Sequence, residues 1–310
     1  MADLSKKASP VMVYLAFAIV YIVWGSTYFF IQKALAGFPP FILGAFRFSI
    51  AGMLMLTWCK LKGEDIFNLK TIRIAAVSGI LMLGLGNGIV IWVEQFIPSG
   101  LVAIMVASAA IWFVILDKSH WKENLSNRYI VSGLIIGFLG VLLLFGNQIR
   151  QALDKPQSNL QILGMILLVF GPIAWAGGSL YSKYNLTTQR SVSVNTGWQM
   201  LIASLAFLPG ALLKSEFGLL DWAGISPDAW LSIIYLILFG SIAGFSAYVW
   251  LLKVRPATQV STYAYVNPVV AVLLSLIFTN EVIGLIQVVG LVIILGSVLL
   301  INLPKYRSVD

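Results

Sequence analysis

Long uninterrupted apolar runs dominate this chain, and short breaks rich in charged residues, glycine or proline separate them. A strand of a membrane barrel would alternate apolar and polar residues, whereas a continuous run of about 20 apolar residues can cross the hydrocarbon core as a helix. The pattern therefore predicts an all-α integral membrane protein with ten transmembrane helices. They are predicted at residues 11–32, 39–59, 72–93, 98–116, 129–147, 160–182, 193–213, 229–252, 257–279 and 284–303.

The composition agrees with a chain whose main solvent is a bilayer. Apolar residues make up 59% of its 310 residues and charged residues only 10%, whereas about 25% of the residues of a soluble domain are charged. An ordinary cytosolic enzyme, a disordered regulator and a nucleic-acid-binding module are thereby excluded. The lipid bilayer is a predicted partner, and nucleic acid is not.

The net charge of +8 bears on orientation, because lysine and arginine collect in the cytoplasmic loops of membrane proteins. With the N-terminus inside, fifteen basic residues lie on the cytoplasmic side, and four, Lys33, Arg150, Lys155 and Lys214, lie outside. This asymmetry predicts a multi-pass protein of the cell inner (plasma) membrane with both termini in the cytoplasm.

Weak internal similarity predicts two halves, at 1–150 and 156–310. The matches are Trp24-Gly25-Ser26-Thr27-Tyr28 with Trp175-Ala176-Gly177-Gly178-Ser179, Pro98 with Pro256, Glu123 with Glu281, and Gly133 and Gly140 with Gly290 and Gly296. Because each half has five spans, an odd number, the second half enters the membrane from the opposite side. The halves are therefore predicted to be inverted five-helix repeats, an arrangement typical of carriers that work by alternating access.

Few residues suit catalysis or metal binding. The single cysteine, Cys59, and the single histidine, His120, are far apart in sequence, and there is no Walker A, HExxH or GxSxG sequence. Enzymes need a nucleophile with its base, paired carboxylates or a metal site. We therefore predict no metal, no cofactor and no enzymatic activity. The glycines of Gly84-Leu85-Gly86-Asn87-Gly88 are interpreted as close-packing positions, because a nucleotide loop would need a strand before it.

Several short sequences occur in a recognisable order: Tyr21-Ile22-Val23-Trp24-Gly25-Ser26-Thr27-Tyr28 in span 1, Arg47-Phe48 in span 2, Trp92-Val93-Glu94-Gln95-Phe96-Ile97-Pro98-Ser99-Gly100 between spans 3 and 4, Asn267-Pro268 in span 9, and Glu281 before span 10. In these features the chain resembles the drug/metabolite transporter superfamily, in particular its EamA-type ten-helix exporters. One departure is Ala109-Ala110, where the family often has a proline in span 4.

The resemblance implies a secondary transporter that exports a small organic metabolite or drug, of amino acid, purine or aromatic type, across the cytoplasmic membrane. A small-molecule substrate is then a partner, and protons are a candidate coupling ion. The alternative is an intramembrane enzyme or a flippase acting on a lipid-linked substrate.

Aromatic side chains with polar atoms lie in the middle of several predicted spans. Trp24 and Tyr28 are four residues apart, as are Tyr263 and Asn267, so each pair shares a helix face. Such residues suit a cavity for a partly apolar solute, although ordinary packing or an interfacial belt is the other interpretation. The predicted substrate cavity consists of Trp24, Tyr28, Asn87, Trp175, Tyr248, Tyr263 and Asn267. For Asn87, an interhelical hydrogen bond is the alternative.

Arg47 lies about eight residues into span 2, which is about 12 Å below the outer interface at the rise of an α-helix. A charge at the bilayer centre costs about 2.5–3.5 kcal/mol on insertion scales, so Arg47 needs a polar partner or a water-filled cavity. Glu94 is the leading candidate, although a carboxylate in interfacial water is the other interpretation of Glu94. Snorkelling, or a tie between helices that Gln199 repeats in span 7, is the alternative for Arg47. Both Arg47 and Glu94 are assigned to gating or coupling.

Pro268 completes the predicted gating residues. Proline removes a backbone donor, so the Asn267-Pro268 step is predicted to break span 9 as a static kink or as a hinge. Glu123 and Glu281 are predicted in the first turns of spans 5 and 10, where the helix dipole favours a carboxylate.

Overall fold

A computed structural model describes residues 8–146, 149–150, 154, 158–186, 191–279 and 284–307, although not the side chains of 99–100, 275–279 and 304–307. Glu281 lies outside the described residues. Within them the longer elements are all helices: α1 (Pro10–Leu35), α2 (Pro40–Leu61), α3 (Leu69–Val93), α4 (Ser99–Ala107), α5 (Ala109–Leu116), α6 (Trp121–Ser126), α7 (Arg128–Leu144), α8 (Asn159–Asn185), α9 (Val192–Leu213), α10 (Glu216–Leu219), α11 (Pro227–Val254), α12 (Ala257–Val260), α13 (Tyr263–Thr279) and α14 (Leu285–Arg307).

In the described part of the chain, seven of these helices are long and apolar enough to cross a membrane. The count rises to eight if Leu101–Leu116 and Lys118–Ser126, which meet at 65°, form one span. An all-helical, multi-pass membrane protein is therefore confirmed. The predicted spans 98–116, 129–147 and 257–279 do not meet the same test, because each contains a short or interrupted helix.

Hydroxyl side chains occur at the interruptions in the spans 98–116 and 257–279. Ser108 Oγ donates to Met105 O at 2.6 Å, and Ser261 Oγ donates to Thr258 O at 2.9 Å. Bonds of this kind compete with the helical ladder for the backbone carbonyl and bend helices. Pro268 lies inside α13, which begins at Tyr263 and is not interrupted there, so the kink or hinge predicted at Asn267-Pro268 stays a prediction about a bend within one helix.

Side-chain caps define several helix starts. Ser158 and Gln161 form a reciprocal capping box at the start of α8, which satisfies two backbone donors. Asn127 caps α7 by accepting from Tyr129 N at 3.0 Å. Glu123 lies in the first turn of α6, the short helix that precedes α7, so a carboxylate is present at a helix N-terminus there, although not in the first turn of α7 itself.

The helices pack in a paired arrangement. The most extensive contacts join α2 to α9 and α7 to α14. In addition, α1 packs against α11 and α13, whereas α8 packs against α3 and the α4–α5 segment. Every one of these pairs joins a helix before residue 147 to a helix after residue 157.

Close helix approach in these pairs depends on glycines. A Cβ at Gly52 of α2 would lie 2.7 Å from Leu201 N of α9, and one at Gly140 of α7 would lie 3.1 Å from Ile294 N of α14. Apolar side chains such as Ile22, Phe170 and Val292 are exposed on the outside of the molecule. An apolar exterior of this kind is suited to lipid and not to water.

Two helices widen locally into π-helix, at Ile80–Asn87 in α3 and at Leu236–Phe245 in α11. Each segment has two glycines four residues apart. In α3 they are Gly84, inside the segment, and Gly88, directly after it; in α11 both Gly240 and Gly244 lie inside the segment. π-Helical turns are rare and often occur at functional sites. The α3 segment contributes Gly86 and Asn87 to the cavity described next. The α11 segment does not line that cavity but binds two of its lining residues, Trp24 and Arg47.

Candidate functional site

A small cavity of about 80 Å³ lies between α1, α3, the α4–α5 segment, α8 and α13, with one side chain from α2. Seven of the ten residues assigned from the sequence line it: Trp24, Tyr28, Arg47, Asn87, Trp175, Tyr263 and Asn267. Tyr248, Glu94 and Pro268 do not line it. The cavity therefore brings together most of the predicted substrate residues and one predicted gating residue.

Four aromatic rings form one wall of the cavity and the layer behind it. The Trp24 ring centroid lies 5.4 Å from that of Trp175, 5.1 Å from Tyr263 and 4.8 Å from Tyr248. The two edge-to-face pairs, Trp24 with Trp175 and Trp24 with Tyr263, have the geometry that aromatic quadrupoles favour. Trp24 belongs to α1 and the other three rings belong to α8, α11 and α13.

Tyr248 supports this wall from behind, and it does not belong to the cavity surface. Its side chain is fully buried. Its hydroxyl accepts a hydrogen bond from Trp175 Nε1 at 3.0 Å and shares another of 2.7 Å with Ser179 Oγ. Tyr248 therefore fixes the orientation of the Trp175 indole.

The π-helical part of α11 provides the partner of the Trp24 indole. Trp24 Nε1 donates to Gly240 O at 3.1 Å. A Cβ at Gly244 would lie 2.7 Å from the same indole nitrogen, so only glycine leaves room for the ring there. The hydrogen bond and the glycine hold Trp24 against the second half of the chain.

Arg47 is the charged residue of the cavity, and its side chain is 4% exposed. Arg47 Nε donates to Ser241 Oγ at 2.8 Å, and Cζ lies 4.9 Å from the Phe48 ring centroid. The hydrogen bond that the structure shows for Arg47 thus goes to Ser241, and the expected pairing of Arg47 with Glu94 stays a prediction. Ser241 lies close enough because Gly240 leaves space beside the guanidinium, where a Cβ would be 2.9 Å from Nη2.

Glu94 is buried at the C-terminal end of α3, with 6% of its surface exposed. This burial does not fit a carboxylate in interfacial water. Glu94 interacts electrostatically with the Tyr28 hydroxyl group, so it lies one layer outside the cavity wall.

Asn87 and Asn267 place two primary amides at the cavity, one from each half of the chain. Within the described residues, the Oδ1 atoms of both side chains are buried without a hydrogen-bond partner, and so is Arg47 Nη1. Buried polar groups nearly always have partners. Residues that line the cavity therefore carry polar atoms for which the described part of the protein supplies no hydrogen-bond partner.

A larger and more open depression of about 490 Å³ lies at the ends of the helices, beside Pro39, Trp92 and Glu216. The Glu216 carboxylate accepts from Ile42 N at 3.0 Å, near the start of α2. Burial raises the pKa of the Glu216 carboxyl, and the hydrogen bonds from the backbone oppose this shift. Loop and helix-end residues form most of its lining, so we regard the enclosed central cavity as the candidate site.

Some residues of the site were not predicted from the sequence. Ser241 does not line the cavity but accepts the hydrogen bond from Arg47, and a single small polar residue in an apolar run is a weak signal. Gly171 and Pro172 of α8 line the cavity, and their Gly-Pro step in the middle of a span could have indicated them. Within the described residues, no group of three or more histidine, cysteine, aspartate or glutamate side chains could hold a metal ion.

Several known proteins are similar to this chain over most of its length. The protein named "Uncharacterized inner membrane transporter YedA" of Escherichia coli K12 is 34% identical over 290 residues, which is 93% of this chain and 89% of YedA. The "Uncharacterized transporter YvbV" of Bacillus subtilis is 25% identical and covers 86% of this chain and 84% of its own length. An "Uncharacterized transporter" of Archaeoglobus fulgidus is 27% identical over 86% of this chain and 90% of its own length.

A solved crystal structure shares the fold. It is 17% identical, with a TM-score of 0.77, and the similarity covers 97% of this chain and 100% of that chain. The family model for EamA-like transporters matches residues 11–146 and 162–303. The resemblance inferred from the sequence is thus confirmed: the chain belongs to the EamA-like transporter family.

Proposed function

We propose that this protein is a secondary transporter that exports a small organic metabolite or drug by alternating access. The observation that carries the proposal is the central cavity, where aromatic and polar side chains from both halves of the chain surround a space. Small-molecule sites are enclosed, mostly apolar and supplied with a few polar groups. The inner-membrane name of YedA supports the cell inner membrane as the location.

Ten spans in two inverted repeats, near 1–150 and 156–310, are part of the proposal. Two observations support them. The family model matches twice, once in each half. The helix pairs also keep their pattern when the halves are exchanged: α1 against α11 and α13 corresponds to α8 against α3 and α4–α5, and the π-helical segments of α3 and α11 correspond.

Contacts between the halves at both ends of the molecule are suited to two gates. At the end assigned to the cytoplasm, Tyr184 Oη donates to Asp117. At the other end, Ile42 N donates to Glu216, and Gln161 Nε2 donates to Phe96 O at 3.2 Å. Alternating access requires that one set opens while the other stays closed.

Solute counterflow in liposomes tests the function. Vesicles containing purified protein and an unlabelled metabolite panel should accumulate labelled panel members faster than vesicles without protein. An imposed pH gradient tests protons as the coupling ion, because proton-coupled transport would respond to its direction. If labelled solutes do not exchange in vesicles with correctly folded protein, the proposed function is wrong.

A further inference from the structure

The cavity has a charge imbalance that indicates its ligand. Of the described residues that line it, only Arg47 carries a full charge. Arg47 is almost completely buried, and its one hydrogen bond in the structure uses the neutral Ser241 hydroxyl. An isolated buried charge is costly, and an opposite charge with hydrogen bonds offsets that cost.

The polar atoms of the lining residues also indicate which hydrogen bonds the ligand makes. Arg47 Nη1 is a buried donor without a partner in the described residues, and a guanidinium can bind a carboxylate through two parallel hydrogen bonds. Asn87 and Asn267 add primary amides, whose unpartnered oxygens accept hydrogen bonds. A matching molecule has an anionic group for Arg47 and a hydroxyl or similar donor for the amides.

The volume limits the size of this molecule. A water needs about 10–15 Å³ of such space, so the 80 Å³ cavity has room for about five to eight non-hydrogen atoms. The Trp24, Trp175 and Tyr263 rings can cover its apolar part.

We propose that the transported substrate is a compact organic anion, a carboxylate with a hydrogen-bond donor, whose carboxylate binds Arg47. This inference rests on the proposed function, because it assigns a substrate class to the same cavity. It also explains why a cation is retained inside α2: the ligand provides its counter-charge when it is bound.

Triads of similar size and different charge test the inference on the full-length protein. Each triad contains a hydroxycarboxylate, its amide and its amine: glycolate with glycolamide and ethanolamine, lactate with lactamide and 1-amino-2-propanol, and 3-hydroxybutyrate with its amide and amine. Binding is measured by tryptophan fluorescence and by the thermal unfolding midpoint, which rises with any ligand of the folded state. At least one carboxylate should bind about tenfold or more tightly than its amide, as expected for hydrogen bonds to a charged group.

The variant Arg47→Gln should lower carboxylate affinity to that of the amide while the amide affinity changes little. Arg128→Gln, which removes a charge from an exposed position on α7, should leave the preference unchanged. If no carboxylate binds the wild-type protein better than its amide, the inference is overturned, and this comparison does not depend on the folding of any variant. Counterflow separates the two proposals. If amides or amines exchange and carboxylates do not, the protein is a transporter but its substrate is not an organic anion.

Discussion

Gln199 Nε2 donates a hydrogen bond of 2.7 Å to Ser78 Oγ, and this bond joins α9 to α3 in the fully buried interior. The Arg47–Ser241 bond joins α2 to α11 in the same way. In each case a long polar side chain on the second span of one half reaches a serine on the third span of the other half. The tie between helices, considered as an alternative for both residues, is therefore present at both positions.

Removal of the Ser78 hydroxyl should destabilise the protein, because Gln199 would lose a partner inside the core. We expect Ser78→Ala to lower the free energy of unfolding by about 1–3 kcal/mol, and the double variant Ser78→Ala/Gln199→Leu to lose less than the sum of the single variants. Chemical unfolding in detergent measures both. Ser132→Ala is the control, because Ser132 is only partly buried and its hydroxyl donates to Arg128 O of its own helix. Equal losses of unfolding free energy in Ser78→Ala and Ser132→Ala would contradict the prediction that the Ser78 hydroxyl stabilises the core.

Trp24→Phe should reduce solute exchange while the protein remains folded. Phenylalanine keeps an aromatic ring among Trp175, Tyr248 and Tyr263 but removes the indole N–H that holds Gly240 O. We expect exchange at least about tenfold slower, the equivalent of one lost hydrogen bond of about 1.4 kcal/mol. Alanine is less informative, because a large buried cavity costs about 3–5 kcal/mol.

The matched control for this comparison is Trp222→Phe, because Trp222 is exposed in the loop before α11. Initial rates of counterflow and a size-exclusion profile should be recorded for both variants. A normal rate in Trp24→Phe would indicate that the indole only fills space.

Gly52→Ala should separate α2 from α9. A methyl group there would lie 2.7 Å from Leu201 N and 2.9 Å from Gly197 O, and these backbone atoms cannot rotate away. Gly177→Ala in α8 meets nothing within 4 Å and should be neutral or stabilising by up to about 1 kcal/mol, because alanine favours helix. Thermal unfolding midpoints of the two variants should therefore move in different directions, and a Gly52→Ala midpoint at or above wild type would refute the close approach.

Glu216 should give the protein a pH-dependent stability. Burial raises the pKa of its carboxyl above the ordinary value of 4.5, so the folded state prefers the protonated form. This contribution is fully present below the unfolded pKa and decreases as the pH rises through the folded pKa. The midpoint of wild type minus that of Glu216→Gln should thus decrease from pH 4 toward neutral pH.

Trp222→Phe, in the same connection between α9 and α11, provides the control for Glu216 because it changes no ionisable group. Its difference from wild type should not depend on pH over the same range. A Glu216→Gln difference that is flat or that increases with pH would contradict the sign given above.

Both termini should lie in the cytoplasm if the basic residues determine orientation. Fusions of a reporter that is active only in the cytoplasm should be active at the N-terminus and at the C-terminus. A fusion in the loop between α9 and α11, after Lys214, should be inactive. An inactive C-terminal fusion in a well-expressed protein would indicate an odd number of spans.

The apolar runs predicted the positions of the helices well, because helix length and apolarity are both written in the sequence. The interruptions at Ser108 and Ser261 were not predicted, since serine is also accommodated inside continuous membrane helices. Proline was the more obvious signal, and yet Pro268 lies within α13. The π-helical segments could not be predicted from the sequence, because one extra residue in a helical turn leaves the apolar run unchanged.

Part of the cavity lining could also be predicted, because it consists of residue types that are unusual within a membrane span. Polar aromatic residues in the middle of a span are unusual enough to indicate Trp24, Trp175 and Tyr263. Helical spacing cannot distinguish a residue on the cavity surface from one a single ring behind it, so Tyr248 was placed on the surface. Ser241 depends on the contact between α2 and α11, which only the folded chain reveals.

The positive charge of Arg47 has an energetic consequence if the proposed anion is the substrate. One elementary charge that crosses the membrane field changes energy by about 2.3 kcal/mol per 100 mV. A monovalent anion bound to Arg47 would neutralise the charge of the lining residues, so the outward step would be insensitive to voltage. The empty site would be positive, and a negative cell interior would favour its return. The membrane potential would then drive net export of such an anion by itself.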